Sequence, residues 1–170
     1  MKTDREILEL RALGKKEEAL RAIVESYSER LYFLIRRFGL PHDDADDILQ
    51  DIYIKVWSSL DSFRGDSGLY TWLYRIANNE VLSNLRKARV KAFLGGESLE
   101  NRLNNVIDED PGFNGTKLQR ELQKAINTLP PKQKQVFIFR YFDELPYEDI
   151  SRITGTSVGS LKASYHHAYT

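Results

Sequence analysis

Apolar residues recur at three- and four-residue steps along most of the chain, the spacing of one face of an α-helix. The clearest run covers residues 16–38, where Ala19, Leu20, Ile23, Tyr27, Leu31, Leu34, Ile35 and Phe38 fall on one side, and Gly39 and Pro41 then stop it. A shorter run precedes it at residues 4–13, with Ile7, Leu8, Leu10 and Ala12 among charges and Gly14 as the stop. A third helix is predicted from about 42 to 60, its stripe made by Ala45, Ile48, Leu49, Ile52 and Val56. Its first turn is crowded with carboxylates, where the helix dipole favours them. A fourth, residues 69–91, begins with aromatics and amides and ends in a basic run.

Between residues 92 and 116 the period fails. Gly95-Gly96, four Asn and the acidic Asp108-Glu109-Asp110-Pro111-Gly112 predict a linker, with room for a transient turn of helix near residues 99–107. Four further helices follow: 117–128 on Leu118, Leu122, Ala125 and Ile126; 131–142, started by Pro130-Pro131; 146–154; and 157–169. The pattern therefore predicts an all-α chain of two small helical domains, residues 1–91 and 117–170, joined by a flexible acidic linker at 92–116.

The last two helices have the spacing of a helix-turn-helix. Ile150 and Ile153 pack the first, Gly155 permits a left-handed turn, Ser157 caps the second, and Val158 with Leu161 closes the core. The outward positions Ser157, Ser160, Lys162, Ala163, Ser164 and His166 are small or polar, as a helix pressed into a DNA groove requires. Any αα-hairpin would share the Gly at the turn.

Composition narrows the chemistry. The chain has 170 residues, 41% of them hydrophobic, enough for one core or two small ones. Lys+Arg 25 balance Asp+Glu 25, so attraction to DNA must come from local charge. Residues 1–91 carry 16 basic and 15 acidic groups, 92–116 carry 1 and 5, and 117–170 carry 8 and 5. With no cysteine there are no disulfides, thiolate nucleophiles or Cys metal sites. The three His, at 42, 166 and 167, lack companions at metal spacing, and no Gly-rich phosphate loop is present. An enzyme is therefore not expected, nor a cofactor or metal. The charged N-terminus is unlike a signal peptide and no uncharged stretch approaches the ~20 residues that span a bilayer, so a soluble, cytoplasmic protein without membrane insertion is expected.

Residues 63–91 combine a Gly-containing loop with aromatics, amides and the cations Arg86, Lys87, Arg89 and Lys91, which are the chemistries that hold single-stranded DNA. Trp and Tyr on an amphipathic helix also serve as core, and a basic run at a helix C-terminus suits the dipole without any ligand.

Six stretches in order carry a resemblance. They are Asp44-Ala45-Asp46-Asp47-Ile48-Leu49-Gln50-Asp51-Ile52-Tyr53-Ile54-Lys55-Val56-Trp57, Phe63-Arg64-Gly65-Asp66-Ser67, Thr71-Trp72-Leu73-Tyr74-Arg75-Ile76-Ala77-Asn78-Asn79, Leu129-Pro130, Tyr147-Glu148-Asp149-Ile150, and Ser157-Val158-Gly159-Ser160-Leu161-Lys162. Together, across residues 16–169, the chain resembles the extracytoplasmic-function RNA polymerase sigma factors of the sigma-70 family. The resemblance implies a four-helix region two, a linker lying in polymerase near its RNA exit path, and a helix-turn-helix region four. It further implies core RNA polymerase and promoter DNA as partners, and an anti-sigma factor as a third.

The resemblance also assigns residues. Asp47, Gln50, Asp51 and Ile54, opposite the buried stripe of their helix, would dock on a basic coiled coil of the polymerase clamp. The loop Phe63, Arg64, Gly65, Asp66 and Ser67, with Asn79, would form a pocket for a base flipped from the minus-ten element, and Arg86, Lys87 and Arg89 would take phosphates. Ser157, Ser160, Lys162, Ser164 and His166 would face the minus-thirty-five element. Many members carry Arg where this chain has Ser164, His167 and Tyr169, which implies either a weaker hold on phosphates or a contribution from His166 and His167. Pro146 replaces a Ser that often caps the scaffold helix. A stand-alone helix-turn-helix regulator would explain residues 130–169 equally, but not the acidic helix or the Phe63 loop.

Overall fold

The computed structural model describes residues 1–65, 67–109 and 115–170, with the side chains of 108 and 109 left out; Asp66 of the expected pocket and residues 110–114 of the expected linker lie outside the described residues. The described residues contain helices and no strand: α1 (Asp4–Ala12), α2 (Lys16–Arg37), α3 (His42–Ser59), α4 (Leu69–Leu94), α5 (Leu99–Glu109), α6 (Lys117–Asn127), α7 (Pro131–Phe137), α8 (Tyr147–Thr154) and α9 (Val158–Tyr169). A 3-10 turn (Leu60–Ser62) follows α3, and α7 runs on into a π turn (Ile138–Phe142).

Local chemistry sets the ends. Thr3 caps α1 by accepting from the Glu6 amide, and Thr116 and Gln119 form a reciprocal capping box at the start of α6. Pro131 opens α7, where its missing N–H is not needed. Gly155 ends α8 at φ 77, and its N–H donates to the Ser151 carbonyl at 2.8 Å. Pro146 stands at the N-cap of α8 with its carbonyl accepting from Asp149 and Ile150, so the ring removes no helical hydrogen bond.

The stripes read from the sequence face inward. Ile23, Leu31, Leu34 and Ile35 of α2 meet Ala45, Ile52 and Val56 of α3 and Leu73, Ala77 and Val81 of α4, all buried. In the C-terminal unit, Ile126, Val136, Phe139, Ile150, Ile153 and Leu161 are buried together.

Two features depart from expectation. Helix α4 continues to Leu94, three residues past the expected boundary, and the stretch expected to be linker contains the eleven-residue helix α5. Its stripe is Leu99, Leu103 and Ile107, each buried, and Ser98 accepts from the Asn101 amide at its start. The Asn-rich composition gives this segment little intrinsic helicity, and it forms because three apolar residues at i, i+4 and i+8 find a surface to cover.

That surface lies at a seam between the two units. Arg37 of α2 pairs with Asp143 at 3.1 Å and lies over the Phe142 ring at 4.5 Å. Tyr70 of α4 donates to Asp149 of α8, and Arg75 Nε donates to the Arg152 carbonyl at 2.9 Å. Gln123 donates to the Arg37 carbonyl at 2.9 Å and to Asn127 at 3.0 Å, and Asn127 donates to Asn104 of α5 at 3.1 Å. Burial pushes the Asp143 carboxyl above its ordinary range, against the pull of Arg37 and Arg30, and pushes the Tyr74 phenol up to about 12.

Candidate nucleic-acid and partner interfaces

On α3 the buried stripe and the outer face are cleanly divided. Ala45, Ile48, Ile52 and Val56 are buried, whereas Asp47, Gln50, Asp51 and Ile54 are all exposed, Ile54 at 66%. Two carboxylates and an amide around one uncovered branched side chain make a face suited to a basic partner that also offers apolar contact. Trp57, 40% exposed, extends it one turn, with Lys16 4.2 Å above its ring.

The loop after α3 is held from behind. Phe63 is only 4% exposed; its ring packs on Trp72 of α4 at 4.9 Å between centroids. Arg11 of α1 donates through Nε to the Leu60 carbonyl at 2.9 Å and through its terminal nitrogen to the Phe63 carbonyl, while its guanidinium lies over the Phe63 ring. Phe63 thus anchors the loop, and the surface is left to Arg64 and Gly65, which are exposed, and Ser67, which is half-buried. Gly65 sits at φ +81 with open space around a Cβ, so the position asks for glycine through its backbone conformation rather than through a close approach.

Asn79 is exposed and lies seven residues, about 10 Å of helix rise, beyond Trp72 on the same face of α4. Arg86 comes after a further seven residues and is exposed, as are Lys87 and Arg89. Loop, Asn79 and Arg86 therefore follow one another along one face of α4, with Lys87 and Arg89 on either side of it. The neighbouring Asn78 is buried with its Oδ1 unpaired and its amide donating to Gln135 at 3.4 Å, so it belongs to the seam. Arg89 also meets Glu100 of α5 at 2.9 Å, and Lys87 and Lys91 line a cleft opposite Asp44 and Asp47 of α3.

In the helix-turn-helix, Ser157 caps α9 by accepting from the Ser160 amide, and their hydroxyls bond at 3.0 Å. Ser157, Ser160, Lys162 and His166 are exposed and Ser164 is half-buried. Lys162 Nζ lies 5.7 Å from the centre of the Tyr147 ring on α8. Behind α9, Tyr165 packs among Phe137, Tyr147 and Tyr169.

Sequence reasoning missed Arg11, the Arg37–Asp143 pair and Lys134. None had a local signal: Arg11, Arg37 and Lys134 are single charged residues on helices, Asp143 follows the π turn, and each role comes from a partner 49 or more residues away, or from burial.

Comparison with known proteins gives this geometry a class. The family model for sigma-70 region 2 matches residues 23–90, and that for sigma-70 region 4 matches residues 119–170. The former takes in α3, the Phe63 loop and Asn79; the latter takes in the helix-turn-helix. The ECF RNA polymerase sigma factor SigW of Bacillus subtilis is 31% identical over 88% of this chain and 84% of its own. An ECF RNA polymerase sigma-E factor of Haemophilus influenzae is 31% identical over 98% of this chain and 91% of its own. The chain belongs to the ECF RNA polymerase sigma factors of the sigma-70 family. Among solved structures, the sigma factor RpoE bound to the anti-sigma factor NepR, from Bartonella quintana, is 25% identical, with TM-score 0.66 over 88% of this chain and 91% of that one. The structure of CnrH with the cytosolic domain of CnrY matches in fold, with TM-score 0.71 at 19% identity, over 98% of this chain and 93% of that one. Among the described residues, no helix is long and apolar enough to cross a membrane, and no group of His, Asp or Glu could hold a metal.

Proposed function

We propose that the chain binds core RNA polymerase through α3, directs it to promoters, and helps the strands part near the start site. The observation that carries this reading is the pairing, within one small unit, of an exposed acidic-and-apolar face on α3 with a buttressed loop, Asn79 and a basic track along α4. A stand-alone DNA-binding regulator has no use for the first of these.

The division of labour follows the helices. Residues 1–91 take the polymerase clamp and the minus-ten element, residues 92–116 connect, and residues 117–170 take the minus-thirty-five element. Asp47, Gln50, Asp51 and Ile54 dock on a basic element of the polymerase. Arg64, Gly65, Asp66 and Ser67, with Asn79, receive a base turned out of the duplex. Phe63 holds the loop from behind, and Arg86, Lys87 and Arg89 bind the adjoining phosphates. Ser157, Ser160, Lys162, Ser164 and His166 face the second element.

The chain supplies no chemical step; polymerase does the catalysis. Opening is favoured because an extruded base in the pocket and phosphates on the track offset the few kcal/mol needed to unstack a base. The protein works in the cytoplasm, where polymerase is, and an anti-sigma factor holds it idle, as NepR binds the similar RpoE. The test is open-complex formation followed by 2-aminopurine fluorescence in the non-template strand. Asn79→Ala should lower the opening signal about tenfold while leaving polymerase binding intact, roughly the loss of one base-edge contact. An unchanged signal would remove Asn79 from the pocket.

A further inference from the structure

Helix α4 does not stop where its basic run stops. Its end carries Val90, Phe93 and Leu94, exposed at 60%, 78% and 79%. A single bare apolar side chain is ordinary; three together on one helix end form a patch that calls for a partner.

Phe93 stands in line with the minus-ten surface. It follows Arg86 by seven residues and Asn79 by fourteen, and each seven-residue step drifts only about 20° around a helix. All three therefore share one face of α4. From Asn79 to Phe93 the helix rises about 21 Å, the length of about six stacked nucleotides at 3.4 Å each and of fewer in a strand drawn out.

The ring is held on a rigid end. The Gly96 amide donates to the Phe93 carbonyl at 3.0 Å and the Glu97 amide to the Ala92 carbonyl at 2.9 Å, with Gly96 at φ +76. That is the paired closure of a Schellman cap, which fixes the last turn and so fixes where Phe93 points. Ala92, one position away, is buried and faces the other side.

The surroundings select the occupant. Between residues 81 and 94 the helix carries no acid, and the exposed cations Arg86, Lys87, Arg89 and Lys91 all lie within seven residues of the ring. Of the nearest acids, Glu97 follows the Gly95-Gly96 turn and Glu100 is engaged with Arg89 at 2.9 Å. A single strand of DNA meets both demands, since its phosphates answer the cations and its bases the ring. A protein segment would have to be acidic and apolar at once, and nothing would require it to continue the line of Asn79 and Arg86.

We propose that Phe93 is a stacking platform for a second base of the non-template strand, up to about six nucleotides from the base received beside Asn79, with Arg86 on the phosphates between them. The role rests on the minus-ten reading above and lengthens that surface to the end of α4.

The test is open-complex formation by the full chain with core polymerase, with 2-aminopurine placed in turn at each non-template position up to six nucleotides on either side of the one that responds to Asn79→Ala. At one position the probe should be quenched by the parent and by Phe93→Trp, and brighter with Phe93→Ala. Phe93→Ala should lower opening about tenfold, the loss of one stacked base. Phe93→Trp should restore opening, Phe93→Leu should not, and binding to core polymerase, read by anisotropy, should be the same for all four proteins. Opening by Phe93→Leu equal to the parent's would overturn stacking and make the patch a plain apolar contact. Weakened polymerase binding by Phe93→Ala would overturn it in favour of a protein partner, and unchanged opening by Phe93→Ala would leave the ring without a ligand. An Asn79→Ala variant that opens normally counts against the pocket instead; a Phe93-dependent quench at one position, then sought across the whole element, would still support the platform.

Discussion

Gly39 shows how one residue can fix a junction. Its φ of +97 is a conformation that side-chain-bearing residues rarely adopt, and a Cβ there would stand 2.5 Å from Asn127 Oδ1. Gly39→Ala should therefore destabilise the chain by about 2 kcal/mol in urea unfolding. Adding Asn127→Ala should recover the steric share, leaving the backbone share in place. At this scale the sequence was informative where a residue acts through its own helix. Asp47, Gln50, Asp51 and Ile54 are exposed because α3 has a regular period, and the period is visible in the chain. Gly39 was legible as a helix stop, but not as a contact with Asn127, because that partner is 88 residues on. Phe63 was read with its loop as pocket-forming and is buried against Trp72 and Arg11, since nothing near it in the sequence announces either.

Among the elements, the long periodic helices were legible almost to the residue, and α5 was not. Three apolar residues among asparagines carry too weak a signal, and the helix exists through what it covers. The loop after α3 has the same character: a guanidinium from α1 donates to three carbonyls at its start, those of Leu60, Asp61 and Phe63. Arg11→Ala should loosen that loop, lowering strand opening severalfold while polymerase binding through α3 holds, read by the 2-aminopurine signal and by anisotropy. The seam around α5 gives a prediction with a definite sign. Lys134 is held down to about 8 in the folded chain against 10.5 when solvated. Below about 8 the lysine is charged in both the folded and the unfolded state and folding bears the full desolvation penalty. Between about 8 and 10.5 the folded form sheds its proton first, and the penalty fades. Lys134→Met should thus be more stable than the parent at pH 7, with the difference shrinking as pH rises through 8 toward 10. A difference independent of pH would mean that the lysine is not buried with its charge.

For the whole molecule, the two units share a continuous buried cluster from Ile7 to Leu161, so the free chain should scatter as one compact body, with a radius of gyration of about 15–16 Å for its length. Two independent lobes on a loose tether would give a distinctly larger value. The division into two helical units was readable from the failure of the period between them. The seam was not, because it is built from single polar residues such as Arg37, Tyr70, Arg75 and Asp143, each indistinguishable in sequence from an ordinary surface position. The central claim is that this closed molecule is a polymerase subunit. It is tested most directly by fluorescence anisotropy of the protein with bacterial core RNA polymerase, beside the double variant Asp47→Arg, Asp51→Arg. Tight binding by the parent, weakened well over tenfold, or about 1.4 kcal/mol and more, by the charge reversals, is the expected result. Absence of binding by both proteins, each helical by circular dichroism, would contradict it and favour a regulator that acts on DNA alone.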